Sequence, residues 1–340
     1  MKKATVLSLV LLVLSAFRLM EFSSSAIPAY FPRPVQEEVW QLDSNKVELG
    51  RVLFYDPQFS ADEMISCASC HSPYNAFAHT DHAISHGVFD SIGFRNAPAL
   101  FNLAWQSLFM HDGAAHDLAA QALAPLNSEL EMASSVELLL KRMNLSPLYR
   151  YLFQKAYRDS TPSVARALES LSAFQLSLIS TKSKYDKMRS GLLIFEDQEE
   201  RGLALFEENC AACHPAPLFS DYAFRSNGIA LNEELRDSGR YFVTAESEDL
   251  YAFKAPSLRN LKYSFPYMHD GRFTKLRAVL NHYSPKNGDL SKSPLKRVLS
   301  EKEKTDIIAF LATLNDPTFV FNPRHAYPKW ILSFNTKSYE

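Results

Sequence analysis

Four cysteines occur in the 340 residues, and all four sit in two strings of one form, Cys67-Ala68-Ser69-Cys70-His71 and Cys210-Ala211-Ala212-Cys213-His214. A chain of this composition would carry one such string by chance about once in a thousand, and two far more rarely. Two thiols three positions apart add to the two vinyl groups of one haem, and the adjoining histidine then lies beneath the iron as its proximal ligand. Zinc ribbons pair C-x-x-C without needing that histidine, and a thioredoxin-like site uses one pair, so neither matches. The strings predict two covalent c-type haems, one on Cys67, Cys70 and His71 and one on Cys210, Cys213 and His214. No cysteine is left for a disulfide framework.

The N-terminus reads as an export signal: Lys2 and Lys3, an apolar run over residues 4–17, then Arg18 and a serine-rich stretch ending at Ala26. The run is shorter than the roughly 20 residues that cross a bilayer, so a cleaved signal over 1–26 and a periplasmic location are expected, without stable membrane insertion. Cleavage near Ala16 and an uncleaved tether are the alternatives. Net charge is −2 for the whole chain and −4 once residues 1–26, with three bases and one acid, are removed. Such a chain has no basic footprint for nucleic acid.

Hydrophobic periodicity predicts helices over 47–55, 118–123, 135–143, 147–157, 162–181, 197–208, 276–283 and 300–314, with a proline-rich extended lead-in at 27–41. No alternation is long enough to predict a sheet. The polar stretch 182–191 makes the best boundary, dividing the chain into 27–190 and 191–340. Both parts repeat one plan: a haem string, a loop-rich stretch, and a Met-His-Asp-Gly string at 110–113 and 268–271.

With these strings in view the chain resembles the di-haem bacterial cytochrome c peroxidase and MauG family along nearly its whole length after the signal. The matching residues are Leu49-Gly50-Arg51-Val52-Leu53-Phe54-Tyr55-Asp56-Pro57, Arg95-Asn96-Ala97-Pro98, Pro256-Ser257-Leu258-Arg259-Asn260, Pro266-Tyr267-Met268-His269-Asp270-Gly271 and Ala309-Phe310-Leu311. The resemblance implies a mainly α, loop-rich fold with little or no sheet, in which two cytochrome-c-like haem domains pack face to face. It also implies a peroxide-reacting first haem, an electron-transfer second haem, and a calcium ion held by Asn96 and the carbonyls of Ser264 and Pro266. The family's distal glutamine, proline and catalytic glutamate fall on Gln121, Pro125 and Glu131. A carboxylate over the haem can take a proton from one peroxide oxygen and return it to the other.

The sixth ligand of the second haem divides the family. The peroxidases place a methionine fourteen residues after the histidine of His-Asp-Gly and MauG-type proteins a tyrosine; His269 plus fourteen is Tyr283, which points to the MauG-like branch. Met268 and His282 are the rival ligands. Where the family carries a bridging tryptophan between the haems this chain has His111, with Trp105 six residues upstream, and the counterpart of the family's displaceable histidine over the first haem is His86. The expected function is reduction of hydrogen peroxide, with electrons from a small cytochrome or cupredoxin or from a protein substrate. The opposing reading is a non-catalytic di-haem carrier, against which the Gln121, Pro125 and Glu131 set weighs.

Overall fold

The structure, a computed structural model, describes residues 27–329. The expected export signal lies outside the described residues. Asp43 opens helix α1 (Ser44–Tyr55), its carboxylate accepting from the N–H groups of Asn45 and Lys46 that the first turn leaves free. The helix stops at Asp56, whose place before Pro57 disfavours helical backbone. The first haem string forms α2 (Cys67–Cys70), followed by α3 (Leu118–Asn127), α4 (Val136–Leu145), α5 (Pro147–Tyr157) and α6 (Val164–Leu176). Then come α7 (Lys184–Arg189), α8 (Asp197–Asn209), α9 (Tyr241–Thr244), α10 (Leu276–Tyr283), α11 (Glu301–Ala312) and α12 (Pro317–Val320). Among the described residues the one sheet pairs β1 (Phe224–Arg225) antiparallel with β2 (Phe253–Lys254), Phe224 opposite Lys254.

Two helix crossings organise the chain, one in each half. Helix α1 lies on α6 at Gly50, where an added Cβ would sit 1.8 Å from the carbonyl oxygen of Ser170. Helix α8 lies on α11 at Gly202, where it would sit 2.0 Å from the carbonyl oxygen of Asp306. Backbones approach this closely only where one side chain is a hydrogen. Each crossing nucleates its own core. The first gathers Leu49, Val52, Phe54, Phe153 and Phe174, and the second Phe206, Phe219, Ile307 and Phe310.

In three stretches the structure departs from the sequence reading or adds to it. The helix expected over 162–181 ends at Leu176, because Asn102 captures the chain beyond it: its amide accepts from Ser180 N and donates to Ser180 O, while its own N–H donates to Leu178 O. The polar stretch 182–191 holds helix α7, opened by a Ser183–Asp186 capping box. Asp186 is buried and takes a two-pronged hydrogen bond from Arg259, 2.8 Å at each contact, plus the Tyr30 hydroxyl. A charge buried this way is stable only with its partners in place. Residues 37–41 of the lead-in wind into a 3-10 turn that buries Val39. The tail after α11 also crosses back: Phe319 and Val320 join the first core, and Tyr55 donates to the carbonyl of His325.

Gly202→Ala is expected to lower stability by about 2 kcal/mol or more through this collision, read as a shift of the denaturant midpoint. Gly93→Ala, whose Cβ would meet nothing nearer than 3.8 Å, should leave the midpoint unchanged.

Candidate active site

The first haem string begins at Ser66, whose capping box with Ser69 sets the helical turn that puts Cys67 and Cys70 on one side. Beyond it, Ala76 and Phe77 take left-handed backbone (φ 51° and 60°) and fold the chain back, bringing Phe77 O to 2.8 Å from His71 Nδ1. A carbonyl only accepts, so Nδ1 carries the proton and Nε2 presents its lone pair. The Pro98 carbonyl lies near the same ring, and burial pushes the ring's pKa down to about 4, keeping the imidazole neutral. The second string repeats this arrangement. His214 Nδ1 lies 3.1 Å from both Phe219 O and Pro256 O, Phe219 is left-handed, and burial again lowers the ring's pKa.

These residues fit a c-type haem. All four thiols are unpaired, both imidazoles are neutral with one nitrogen tied back, and an apolar cavity lined by Leu53, Phe59, Leu126, Met132 and Leu171 opens beside Cys67.

Gln121, Pro125 and Glu131 are drawn together by one chain reversal. Helix α3 ends at Ser128, Met132 N donates to the carbonyl of Pro125 and Ala133 N to that of Ser128, so Glu131 returns towards the helix that carries Gln121. Gly87 lets the segment after His86 pass over this turn, since a Cβ there would lie 2.1 Å from Leu130 O; Val88 N then donates to Glu131 O at 2.8 Å. The Glu131 residue has an exposed face, but burial of its carboxyl raises the pKa. Burial also pushes the Cys67 thiol up to about 12 and the Cys70 thiol in the same direction, and the charge of Glu131 adds to both, which places it within electrostatic reach of the haem-bearing sulfurs. The Gln121 carbonyl oxygen is buried with no hydrogen-bond partner, an acceptor left unused on α3. His86 has its Nδ1 2.5 Å from Asp90 Oδ1, its side chain is 36% exposed, and the ring of His82 lies tilted beside it at 4.9 Å.

Tyr283 closes α10 and, like Cys210, packs against the second core. Burial raises its phenol to about 12, a hydrogen bond with Asn227 acts the other way, and the charges of Cys213 and Cys210 would raise it further, so the phenol faces that haem string. Met268, left-handed at φ 76°, accepts at its sulfur from Asn227 Nδ2 at 3.5 Å, and His282 Nε2 donates to Asn227 O at 3.0 Å. One asparagine therefore touches all three ligand candidates. Nothing local marked Asn227 in the sequence beyond its loop position before Gly228.

The two halves meet through the Met-His-Asp-Gly strings, each bent by left-handed Met and Gly and closed by a bridge, Phe109 with Ala115 and Tyr267 with Phe273. Asn96 N donates to His269 O and Lys254 N to His111 O, both at 2.7 Å, a reciprocal exchange. Arg95 forks onto Asp237 and reaches Asp112, and Lys254 Nζ donates to Gln106 Oε1 and Leu108 O. The buried His111 ring donates from Nε2 to Asn96 O at 2.9 Å, and burial holds it near pKa 4. Of the calcium candidates, Asn96 has its Nδ2 bonded to Ala83 O, which fixes the amide's orientation. Ser264 donates to Asn260 O and Pro266 is buried after a cis bond; no described hydrogen bond joins either to Asn96, although His269 three residues on does. Trp105 is clamped by Pro32 O and Phe31 within the first core.

A family model described as di-haem cytochrome c peroxidase matches residues 44–192. The methylamine utilization protein MauG of Methylorubrum extorquens is 36% identical over 318 residues, covering 88% of each chain. The cytochrome c551 peroxidase of Nitrosomonas europaea is 30% identical over 92% of each. A crystal structure of a MauG-like protein associated with microbial copper homeostasis superposes with a TM-score of 0.81 at 29% identity, over 89% of this chain and 98% of that one. Two haem strings on a doubled helical plan, and relatives matching along nearly the full length, lead to one conclusion: the chain belongs to the di-haem cytochrome c peroxidase and MauG family, as a two-haem oxidoreductase acting on peroxide.

Proposed function

We propose that this chain is an exported, MauG-like peroxidase in which His71 and His214 are the proximal ligands and Glu131 moves the proton that peroxide cleavage requires. The observation that carries the reading is the chain reversal after α3, which brings the partly exposed Glu131 within electrostatic reach of Cys67 and Cys70 with the unpartnered Gln121 oxygen on the adjoining helix. When bound, the haem at His71 supplies the iron at which peroxide is reduced. Glu131 takes a proton from one peroxide oxygen and delivers it to the other, which leaves as water, while Gln121 accepts a hydrogen bond from the bound molecule. Pro125 holds the reversal that sets the distance between them. His86, tied to Asp90, is the candidate for a displaceable ligand. Electrons come from a small cytochrome or cupredoxin, or from a protein side chain being modified.

Tyr283 is assigned as the sixth ligand at the second haem, with Met268 as its rival; a phenolate stabilises ferric iron where a thioether raises the potential. The Asn96 amide oxygen and the carbonyls of Ser264 and Pro266 would hold a calcium ion between the halves, hard oxygen donors that suit it.

Glu131→Gln keeps size and a hydrogen-bonding head but cannot accept the proton. Rapid mixing with peroxide should show cleavage slowed by roughly 10² to 10⁴; a wild-type rate would remove Glu131 from the mechanism. Tyr283→Phe is expected to turn the second haem high-spin in its paramagnetic resonance spectrum and leave the first largely unchanged, whereas an intact low-spin signal would pass the ligand role to Met268. Exhaustive chelation should perturb both haem spectra and slow turnover, and indifference to it would remove calcium from the interface.

A further inference from the structure

The two proximal histidines are joined by a continuous chain of short contacts that crosses the interface through His111. The His71 ring, whose Nδ1–H is held by Phe77 O, lies beside the Pro98 carbonyl, two residues after Asn96, and this step of the path crosses by proximity. Asn96 O accepts from His111 Nε2 at 2.9 Å. The carbonyl of the same histidine accepts from Lys254 N at 2.7 Å, and two residues on Pro256 O lies 3.1 Å from His214 Nδ1. The segments Asn96-Ala97-Pro98 and Lys254-Ala255-Pro256 are counterparts in the two halves, each with its proline carbonyl beside its own proximal imidazole. Among the described residues His111 hydrogen-bonds to both segments.

The interface is otherwise reciprocal, and this is where its symmetry breaks. Asn96 N donates to His269 O as Lys254 N donates to His111 O, but the ring of His269 stacks on Phe253 at 3.8 Å instead of returning to Lys254. Lys254 is further pinned by its buried ammonium, which donates to Gln106 Oε1 at 2.6 Å and Leu108 O at 2.7 Å on the strand-like segment leading into His111. A link made of backbone and hydrogen bonds, centred on the buried Asn96, is a physical route for coupling two sites.

We propose that this chain, which has no tryptophan at the Met-His-Asp-Gly position, connects its haems through the path His71, Pro98, Asn96, His111, Lys254, Pro256 and His214, with His111 as its linking residue. One electron leaves the haem at His214 and one arrives at the haem at His71; no proton moves, and His111 is not itself oxidised. The inference rests on His71 and His214 being the proximal ligands. That assignment is tested separately by the loss of one haem's ligand-field signature in His71→Ala or His214→Ala.

The test uses the full two-haem protein. A single electron is injected by a radiolytic or photochemical pulse into the oxidised form, and its redistribution between the haems is followed by absorbance. The spectra and reduction potentials of both haems are recorded alongside, so that a changed rate cannot come from a changed driving force. His111→Leu should slow redistribution about tenfold, the scale of a single link in a coupling network, with spectra and potentials as in the wild type. His111→Gln, whose amide can still donate to Asn96 O, should restore most of the rate. A wild-type rate in His111→Leu, or no recovery in His111→Gln, overturns the path. If the leucine variant does not take up both haems, His111→Asn replaces it: its amide is too short to reach Asn96 O, so slow transfer is again expected and a wild-type rate is again fatal.

Discussion

Each proximal imidazole is tethered by its Nδ1–H to a backbone carbonyl of the loop that follows it, Phe77 for His71 and Phe219 for His214. That hydrogen bond fixes the tautomer and the direction of the free nitrogen, and with it the plane in which a haem can sit. The left-handed residues at 77 and 219, the bridge between Ser72 and Ala78, and the Ala-Pro segments whose proline carbonyls lie beside the rings all serve this tether. Because the same segments also reach across to the opposite half, orienting a haem and docking the halves are one structural event. Displacing the Asn96 or Lys254 backbone would disturb an iron ligand and the interface together.

The interface also shows how buried charges are offset by their partners. Arg95 lies between Asp112 and Asp237, and Arg259 meets Asp186 with its remaining donors on Pro217 O. Planar guanidinium groups satisfy carboxylates and carbonyls at once, which lysine cannot do in the same geometry. Each arginine also lies over aromatic rings, Arg259 over Phe31 and Phe219, so its flat face is covered as its edge is bonded. Lys304 plays a comparable part near the second haem string: fully buried, it donates to Asn281 and to Ser284 O, the residue after Tyr283, and so fastens the end of α10 to α11.

How much of this was legible in the sequence depends on how far apart the interacting residues lie. Haem attachment needs a thiol pair and a histidine in five consecutive positions, so both strings were readable without any structure. Helix α11 was legible from its periodicity and the acids Glu301 and Glu303 in its first turn, and Ser300 and Glu303, three apart, form its capping box. The pairing of Asp186 with Arg259 spans 73 residues, and that of Asn96 with His269 spans still more. Nothing in the local pattern of either partner records the other, and for this reason the polar stretch 182–191 gave no sign of the buried acid that its helix carries. Asn227 escaped notice for the same reason: its loop placement reads as turn chemistry, and only the fold puts Met268, Tyr283 and His282 around it. The crossing back of the tail belongs with these, since Phe319 and Val320 are as apolar as any second-half core residue and only the tertiary path decides which core receives them.

His111 carries the most information about how this chain departs from its family pattern. A tryptophan at that position would be a large π system that holds and passes charge by itself. An imidazole buried and kept neutral, with a pKa near 4, offers little as a charge-bearing station, but it has what tryptophan lacks. Its Nε2–H can reach the carbonyl of Asn96 while its backbone holds Lys254. Replacing a hopping station by a bonded bridge trades dependence on the side chain's own redox potential for dependence on hydrogen-bond geometry. Such a bridge tolerates little play, which accounts for the buried ammonium of Lys254 fastened to Gln106 and Leu108 on one side and the amide of Asn96 fastened to Ala83 on the other.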